Sequence, residues 1–361
     1  MPTLPLYTPA EVPDASHRVV APGGYETWHF DAESASGGLL LVATLGQGSP
    51  CDASYLREYR RYRRRPTRRP PPLPADHAFA DVAVYENDRF LASFTSRLAP
   101  GEFDAGAQEP AVTAGANAFR REDDGSISLR LRGVPSATGN GQLGGDACLS
   151  AQLAFRPLRV PSDAFETSAA AAHASSDLHR WVIAEPLCAV EGAVVVTAGA
   201  GGASRSGVRE IDFRGRGYHD HTYGTGPPGA AARRWARGRV LFGNHGYAFD
   251  VARPLTPRLP DAARLVRFDR DGISVVADEP LTVRWAERGM SPAYPAELTC
   301  GSRLRLVDPR VVDASPSRAR VVYHASAHGG GETGRAFCEI GYGPGWVEWV
   351  RRRVTRVFPR D

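Results

Sequence analysis

A chain of 361 residues can bury sizeable cores, and its length suits two domains rather than one. Its 44 basic residues are all arginine and face 40 acids, so the net charge of +4 gives little support to nucleic-acid binding. With 38 glycines and 29 prolines in no collagen-like period, the composition suits a turn-rich, all-β protein.

Met1 to Pro13 has neither the basic nor the apolar region of a signal peptide. Residues 1–17 are Pro-rich and polar and read as a loosely held arm. A turn at Ala21–Gly24 leads into an alternating strand from Tyr25 to Asp31, and Leu39 to Leu45 follows as a buried strand across the turn Ser34–Gly38. Arg57 to Pro74 then places eight arginines in its first thirteen residues before a proline run. One reading is a solvated loop with a short helix over Ala53–Arg63. The other is a peripheral membrane contact through Arg57–Arg69, in which arginines interleaved with Tyr55, Tyr59 and Tyr62 meet anionic headgroups.

Strands return at Phe79–Glu86, Arg89–Arg97, Ala118–Glu122, Ser126–Gly133 and Leu149–Pro157, with tight-turn chemistry at Asn87-Asp88 and Asp123-Asp124-Gly125. Beyond a small-residue segment, Leu178–Ile183, Ala193–Ala198 and Gly207–Phe213 read as three further strands. The stretch Gly215–Gly224 follows. Pro227–Ala232 reads as an interdomain linker. A second set of short strands runs from Trp235 to Tyr342, at a spacing that points to a barrel or sandwich, and Val347–Val357 is a candidate basic helix. The domain reading is thus an arm over 1–17, one β domain over 18–226, a linker over 227–234 and a second β domain over 235–361. The five cysteines, at 51, 148, 188, 300 and 338, have no paired motif and read as reduced thiols of a cytoplasmic protein. No run approaches the roughly 18–20 apolar residues of a membrane span.

The chemistry concentrates in Tyr218-His219-Asp220-His221-Thr222-Tyr223. On a strand, Tyr218, Asp220 and Thr222 share one face, and His219, His221 and Tyr223 share the other. His219-x-His221, with His245 or His179 as a third ligand, has the makings of a zinc site. The set is incomplete by motif spacing, however, and each histidine reads equally well as a structural imidazole, His245 in a turn. No metal or other cofactor is expected. The second candidate uses the opposite face. His179 and Trp181 also lie two apart, and if both pairs line one apolar cavity, Asp220 becomes a buried acid among aromatic rings. Burial disfavours the carboxylate, so Asp220 would stay protonated near neutral pH and deliver a proton to an unactivated alkene. Trp181 and Tyr218 would hold the resulting cation against their ring faces, and His179 would orient Asp220 or take a proton from water. A turn-capping Asp220 and a core Trp181 remain the structural alternative.

Four pieces of the chain carry a family resemblance: Pro22-Gly23-Gly24-Tyr25 with Trp28 and Asp31; the Arg-rich segment followed by His77 and Val82-Ala83-Val84-Tyr85; His179-Arg180-Trp181 with Pro186-Leu187-Cys188; and Gly217–His221. In these the chain resembles the carotenoid 1,2-hydratase (hydroxyneurosporene synthase) family and its AttH-like relatives, over most of its length. The resemblance implies two tandem lipocalin-like (calycin-type) antiparallel β-barrels or sandwiches. It also implies a hydrophobic site near their junction, with the Tyr-x-Asp and His-x-Trp pairs of the hydratases falling on Tyr218, Asp220, His179 and Trp181. Two departures stand out: hydratases follow the acid with Ser-Asn and the wider group with His-Asn-Trp-Gly, whereas this chain has His221-Thr222-Tyr223-Gly224. Related lipocalin-like proteins include pericyclases. The expectation is a cofactor-independent hydratase of an acyclic carotenoid or other isoprenoid, with a polyene cyclase or a carrier of hydrophobic molecules as alternatives. Tyr25, Trp28, His219, His221, Tyr223 and Trp235 are the expected ligand-binding residues.

Overall fold

The computed structural model describes residues 6–135, 148–158, 164–170, 177–197, 207–230, 232–256, 258–286, 294–315, 317–327 and 331–343. Strands dominate them. In chain order β1 is Tyr25–Ser34, β2 Leu39–Gln47, β3 Ala78–Glu86 and β4 Arg89–Arg97. Next come β5 Phe103–Ala105, β6 Ala111–Ala114, β7 Asn117–Arg121, β8 Ile127–Gly133 and β9 Cys148–Pro157. Then follow β10 Phe165–Ser168, β11 His179–Thr197 and β12 Val208–Gly224. These form one sheet in the order β4-β3-β2-β1-β12-β11-β9-β8-β7-β6-β5, with β10 on β11.

The second sheet is built from β13 Ala232–Leu241, β14 His245–Pro254, β15 Ala262–Asp269, β16 Ile273–Val275, β17 Thr282–Ala286, β18 Tyr294–Cys300, β19 Leu304–Ala314, β20 Arg318–Ala327 and β21 Glu332–Tyr342. Its order is β16-β15-β14-β13-β21-β20-β19-β18-β17, so the last strand returns beside the first. Both sheets are antiparallel and curled into half-barrels, as the lipocalin-like reading requires.

Two compact units emerge from the packing. One comprises Met1–Ser49, Leu73–Glu166 and Trp181–Tyr223; the other comprises Pro50–Pro72, Thr167–Arg180 and Gly224–Asp361. The first encloses a core of Trp28, Phe30, Leu41, Val82, Phe94, Phe119, Leu129 and Phe155 with their apolar neighbours. Alternation produces it: in β8, Ile127, Leu129 and Leu131 are buried while Ser128, Arg130 and Arg132 are exposed. The second unit has its own core around Val240, Tyr247, Phe249, Leu306, Tyr323 and Ile340.

Several elements differ from expectation. The two strands expected around Trp181 and Val195 are one continuous strand, β11, which runs through Pro186. Likewise Gly207–Phe213 and the stretch after it are a single 17-residue strand, β12. The glycines that suggested a break serve close approach instead. A Cβ on Gly215 would strike the Glu33 carbonyl oxygen, and one on Gly217 would enter the Phe155 ring. The short strands β5, β6 and β10 have too few residues to announce themselves by alternation. β13 starts at Ala232, inside the expected linker. The candidate helix over Val347–Val357 lies outside the described residues.

Residues 14–17 are not a loose arm, since Asp14, Ala15, Ser16 and His17 are all buried. Composition misleads there because the polar side chains find partners far along the chain, described below. The Arg-rich segment opens with α1, Ala53–Arg64, capped by Asp52, whose side chain accepts from the Ser54 and Tyr55 N–H groups at 2.6 and 3.2 Å. Tyr55 and Tyr59 turn inward with Leu56, so those two rings are not interleaved with the exposed Arg57, Arg61, Arg63 and Arg64. No helix among the described residues is long and apolar enough to cross a membrane.

Candidate active site

Strand β12 separates two chemistries by parity. On its even-numbered face Tyr218 and Asp220 stand two residues apart, and β11 is the neighbouring strand that brings Trp181 to them. The Tyr218 hydroxyl and the Trp181 Nε1–H both donate to Asp220 Oδ2, at 2.9 and 3.0 Å. All three side chains are buried, Asp220 to 1 % exposure. Its other oxygen, Oδ1, makes no hydrogen bond to any described residue. Asp220 is thus held through one oxygen by two neutral donors, and the other oxygen is buried.

The odd-numbered face points into the core of the first unit. His219 stacks on Phe30 with ring centroids 3.9 Å apart, and His221 stacks on Trp28 at 4.3 Å. His219 meets an acceptor at both nitrogens, and His221 meets one at Nδ1 with a carboxylate near its Nε2. His219 Nδ1 lies 2.9 Å from the His29 carbonyl oxygen, and its Nε2 lies 3.2 Å from Asp14 Oδ2. His221 Nδ1 lies 3.2 Å from the Pro13 carbonyl oxygen, and its Nε2 lies 3.3 Å from Glu26 Oε1. The carboxylates respond to these rings. Burial alone would push Asp14 up, but the His219 charge and hydrogen bond, with His221 and Arg121, hold it below the usual range. Glu26 is likewise lowered against its burial, by the His221 bond and charge and by the His17 N–H.

His17 completes this face differently. Its Nδ1 accepts from the Ala10 N–H at 3.2 Å while Nε2 meets the Pro13 carbonyl oxygen at 3.1 Å, the pattern of a neutral ring. Burial and the His221 charge lower its pKa in agreement. It stacks on Tyr223 at 3.8 Å, and the Tyr223 hydroxyl donates to Glu166 Oε1 at 2.9 Å. Trp28 Nε1–H donates to the Asp14 carbonyl oxygen at 2.9 Å.

The residues expected to bind a ligand therefore divide. Trp28, His219, His221 and Tyr223 are committed to one another and to the N-terminal segment, on the face opposite Asp220. Tyr25 is buried on β1 and shares by alternation the face of Thr27, His29 and Asp31. Trp235 belongs to the second unit, packed beside Ala170, Ala232 and Ala252. His179 also groups with the second unit, although its place two residues before Trp181 on β11 gives the two one face. Burial drops its pKa to about 4, with Arg237 adding to the shift and Asp177 and Asp250 opposing it. His245 meets Glu332 at 3.2 Å and stacks on Phe242, a structural role. No group of three metal-ligating side chains assembles among the described residues. A groove of about 710 Å³ in the first unit, lined by Phe119, Leu129, Gln152, Leu153 and Gly192 among others, shares no residue with the Asp220 cluster.

Sequence reasoning missed the carboxylates of the odd face, Asp14 and Glu26, because their partners lie near the far end of the unit. It gave no role to His29 and named Asp31 only within the resemblance, although the alternation of Tyr25–Asp31 places the two on one face.

The fold is lipocalin-like, of the kind seen in AttH-type structures. No family model matches the chain. It is similar to a Chlorobaculum tepidum protein named hydroxyneurosporene dehydrogenase, with 29% identity over 250 residues. That match covers 63% of this chain and 56% of the relative, little more than half its length. Among solved structures, an AttH-type protein of Nitrosomonas europaea shares the fold with a TM-score of 0.56 at 12% identity, over 88% of this chain and 92% of that one. CghA, solved with Sch210972, gives a TM-score of 0.57 at 13% identity, over 95% of this chain and 96% of its own.

Proposed function

We propose that the protein adds water across a terminal C=C bond of an acyclic carotenoid or other isoprenoid, with Asp220 as proton donor. The observation that carries this is the asymmetry of the carboxyl. Oδ2 is tied to Tyr218 and Trp181, and the buried Oδ1 is left to hold and hand over a proton. The alkene π pair takes that proton at the terminal carbon, and the positive charge forms at the tertiary carbon. Aromatic faces stabilise such a charge by roughly 0.5–2 kcal/mol each, the role given to Trp181 and Tyr218. A water oxygen closes the C–O bond. The likeness to a hydroxyneurosporene-named relative supports an isoprenoid substrate, and the hydration step itself rests on Asp220.

A second reading is cyclisation of a hydrophobic polyene, favoured by the fold shared with CghA, which binds Sch210972 in its solved complex. One comparison separates the two. Purified protein incubated with lycopene-type and polyketide-type polyenes is analysed for alcohol or cyclised product, in wild type and in Asp220→Asn. Alcohol formation that vanishes in Asp220→Asn supports the hydratase. Cyclised product that persists in Asp220→Asn supports the cyclase, and bound but unaltered polyene leaves a carrier.

A further inference from the structure

Hydration needs a base as well as an acid, and the even face of the first sheet holds one that the acid cluster does not use. Strands β1 and β12 are neighbours whose offset is fixed at two points. Thr27 Oγ1 meets Thr222 Oγ1 at 3.0 Å, and the Ala35 N–H donates to the Arg214 carbonyl at 2.9 Å. Between those points each step forward on β1 is a step back on β12, which sets His29 opposite Asp220 and Asp31 opposite Tyr218. Facing residues of an antiparallel pair have Cβ atoms about 5 Å apart on one side of the sheet. His29 is therefore the cross-strand neighbour of the proposed acid.

Its surroundings are those of an oriented imidazole. Nε2 lies 3.5 Å from Asp31 Oδ2, and Asp31 is 1 % exposed, so a carboxylate stands where an imidazolium would form. Nδ1 lies 3.2 Å from Thr44 Oγ1 on the next strand, an exchangeable hydroxyl that can donate to the ring or pass a proton on. The polar row continues outward. Thr44 faces Asp81, which accepts from the exposed Thr95 hydroxyl at 2.6 Å. This polar row crosses a face that is otherwise apolar at Leu40, Val42 and Tyr85.

We propose that His29, oriented by Asp31, is the base that takes the proton from the attacking water and returns it to Asp220. The inference rests on the hydration reading. In balanced form, the Asp220 proton forms the new C–H bond with the alkene π pair, leaving a tertiary cation. The water oxygen donates a lone pair to that carbon while one O–H bond passes its proton to His29. The imidazolium then gives that proton to the Asp220 carboxylate, so one water is consumed and both side chains end as they began. His179, the other histidine considered for the role, resists protonation, because burial lowers its pKa to about 4.

The test is an incubation of the full chain with lycopene in deuterated buffer, scoring alcohol formed and deuterium gained by recovered alkene. His29→Gln is expected to lower alcohol formation by about 10²-fold. It should still exchange deuterium into the alkene, since the cation forms and collapses, and added imidazole should restore alcohol to His29→Ala. Full alcohol formation in His29→Gln overturns the proposal while leaving the Asp220 reading intact. Loss of alcohol and exchange together, with no imidazole rescue, also overturns it, because the ring then serves only structure. A wild type that forms no alcohol removes the hydration reading and this inference with it.

Discussion

The two faces of β12 carry the same kinds of side chain to opposite ends. On the odd face every charged group has an answering one: His219 meets Asp14, His221 meets Glu26, and each ring is stacked on an aromatic of the core. On the even face Asp220 is as deeply buried, yet one of its oxygens bonds to no described residue. Burial therefore does not separate the two faces, and neither does an unbonded oxygen, since Asp14 Oδ1 also lacks a hydrogen-bond partner among the described residues; the bonded oxygen does, facing His219 in one case and two neutral donors in the other. The odd-face pairs hold the fold together, and the acid proposed to give up a proton is the one tied to two neutral donors.

The largest expected effect attacks the even face. Asp220→Asn keeps an oxygen for Tyr218 and Trp181 but removes the transferable proton, and alcohol formation should fall by roughly 10³–10⁴-fold. Its urea midpoint should stay near that of wild type. The mirror experiment on the odd face is Asp14→Ala, which strands the His219 ring and loosens Arg121, 3.7 Å from the same carboxylate. Breaking one partner of a buried pair costs about 3–5 kcal/mol, so denaturant titration should show a large loss of stability while folded molecules retain turnover. Asp14→Ala with full stability but no activity would break the comparison.

Acidity probes both units at once, and the signs agree. His179 is lowered from its ordinary 6.5 to about 4, so the unfolded chain binds the proton first. Its contribution is complete above about pH 6.5 and drains away as pH falls toward 4, on the order of 3 kcal/mol in all. His17, also lowered, loses stability in the same direction from the same starting pH. Asp14 and Glu26 are lowered carboxylates, so their contribution holds above their ordinary values of 3.8 and 4.5 and goes only below them. Urea midpoints against pH should fall in two stages, and His179→Leu should flatten the upper one.

How much of this was legible depends on distance along the chain. β8 and α1 were readable because alternation and the Asp52 cap are local signals. So was the Tyr218–Asp220–Trp181 cluster, since i, i+2 spacing fixes a face and resemblance supplied the partner strand. The long strands β11 and β12 were hidden by Pro186, which β11 runs through, and by Gly215 and Gly217, which here permit close approach. Nothing local tied Asp14 to His219 or Glu26 to His221, because each pair joins opposite ends of the unit. The acidity of His179 was equally hidden, since Asp250 and Arg237 lie on strands the sequence could not place beside it. His29 was legible by alternation alone, but its meaning came only with the β1–β12 register.

The smallest expected effect sharpens the comparison most finely, because it moves to a satisfied pair on the even face. Thr27 and Thr222 are both buried and share a hydroxyl contact at 3.0 Å one step along from His29 and Asp220. Thr222→Val removes that partner from the Thr27 hydroxyl and should cost about 1 kcal/mol. The double variant Thr27→Val with Thr222→Val should recover most of that, since two apolar groups of matching shape leave nothing unpaired. Turnover should be unchanged in both, although these side chains neighbour the proposed acid and base. If location on the even face does not by itself decide which groups act, the threonines will change stability and leave turnover alone. Turnover lost in proportion to the hydroxyls removed would instead make the whole even face part of the reaction.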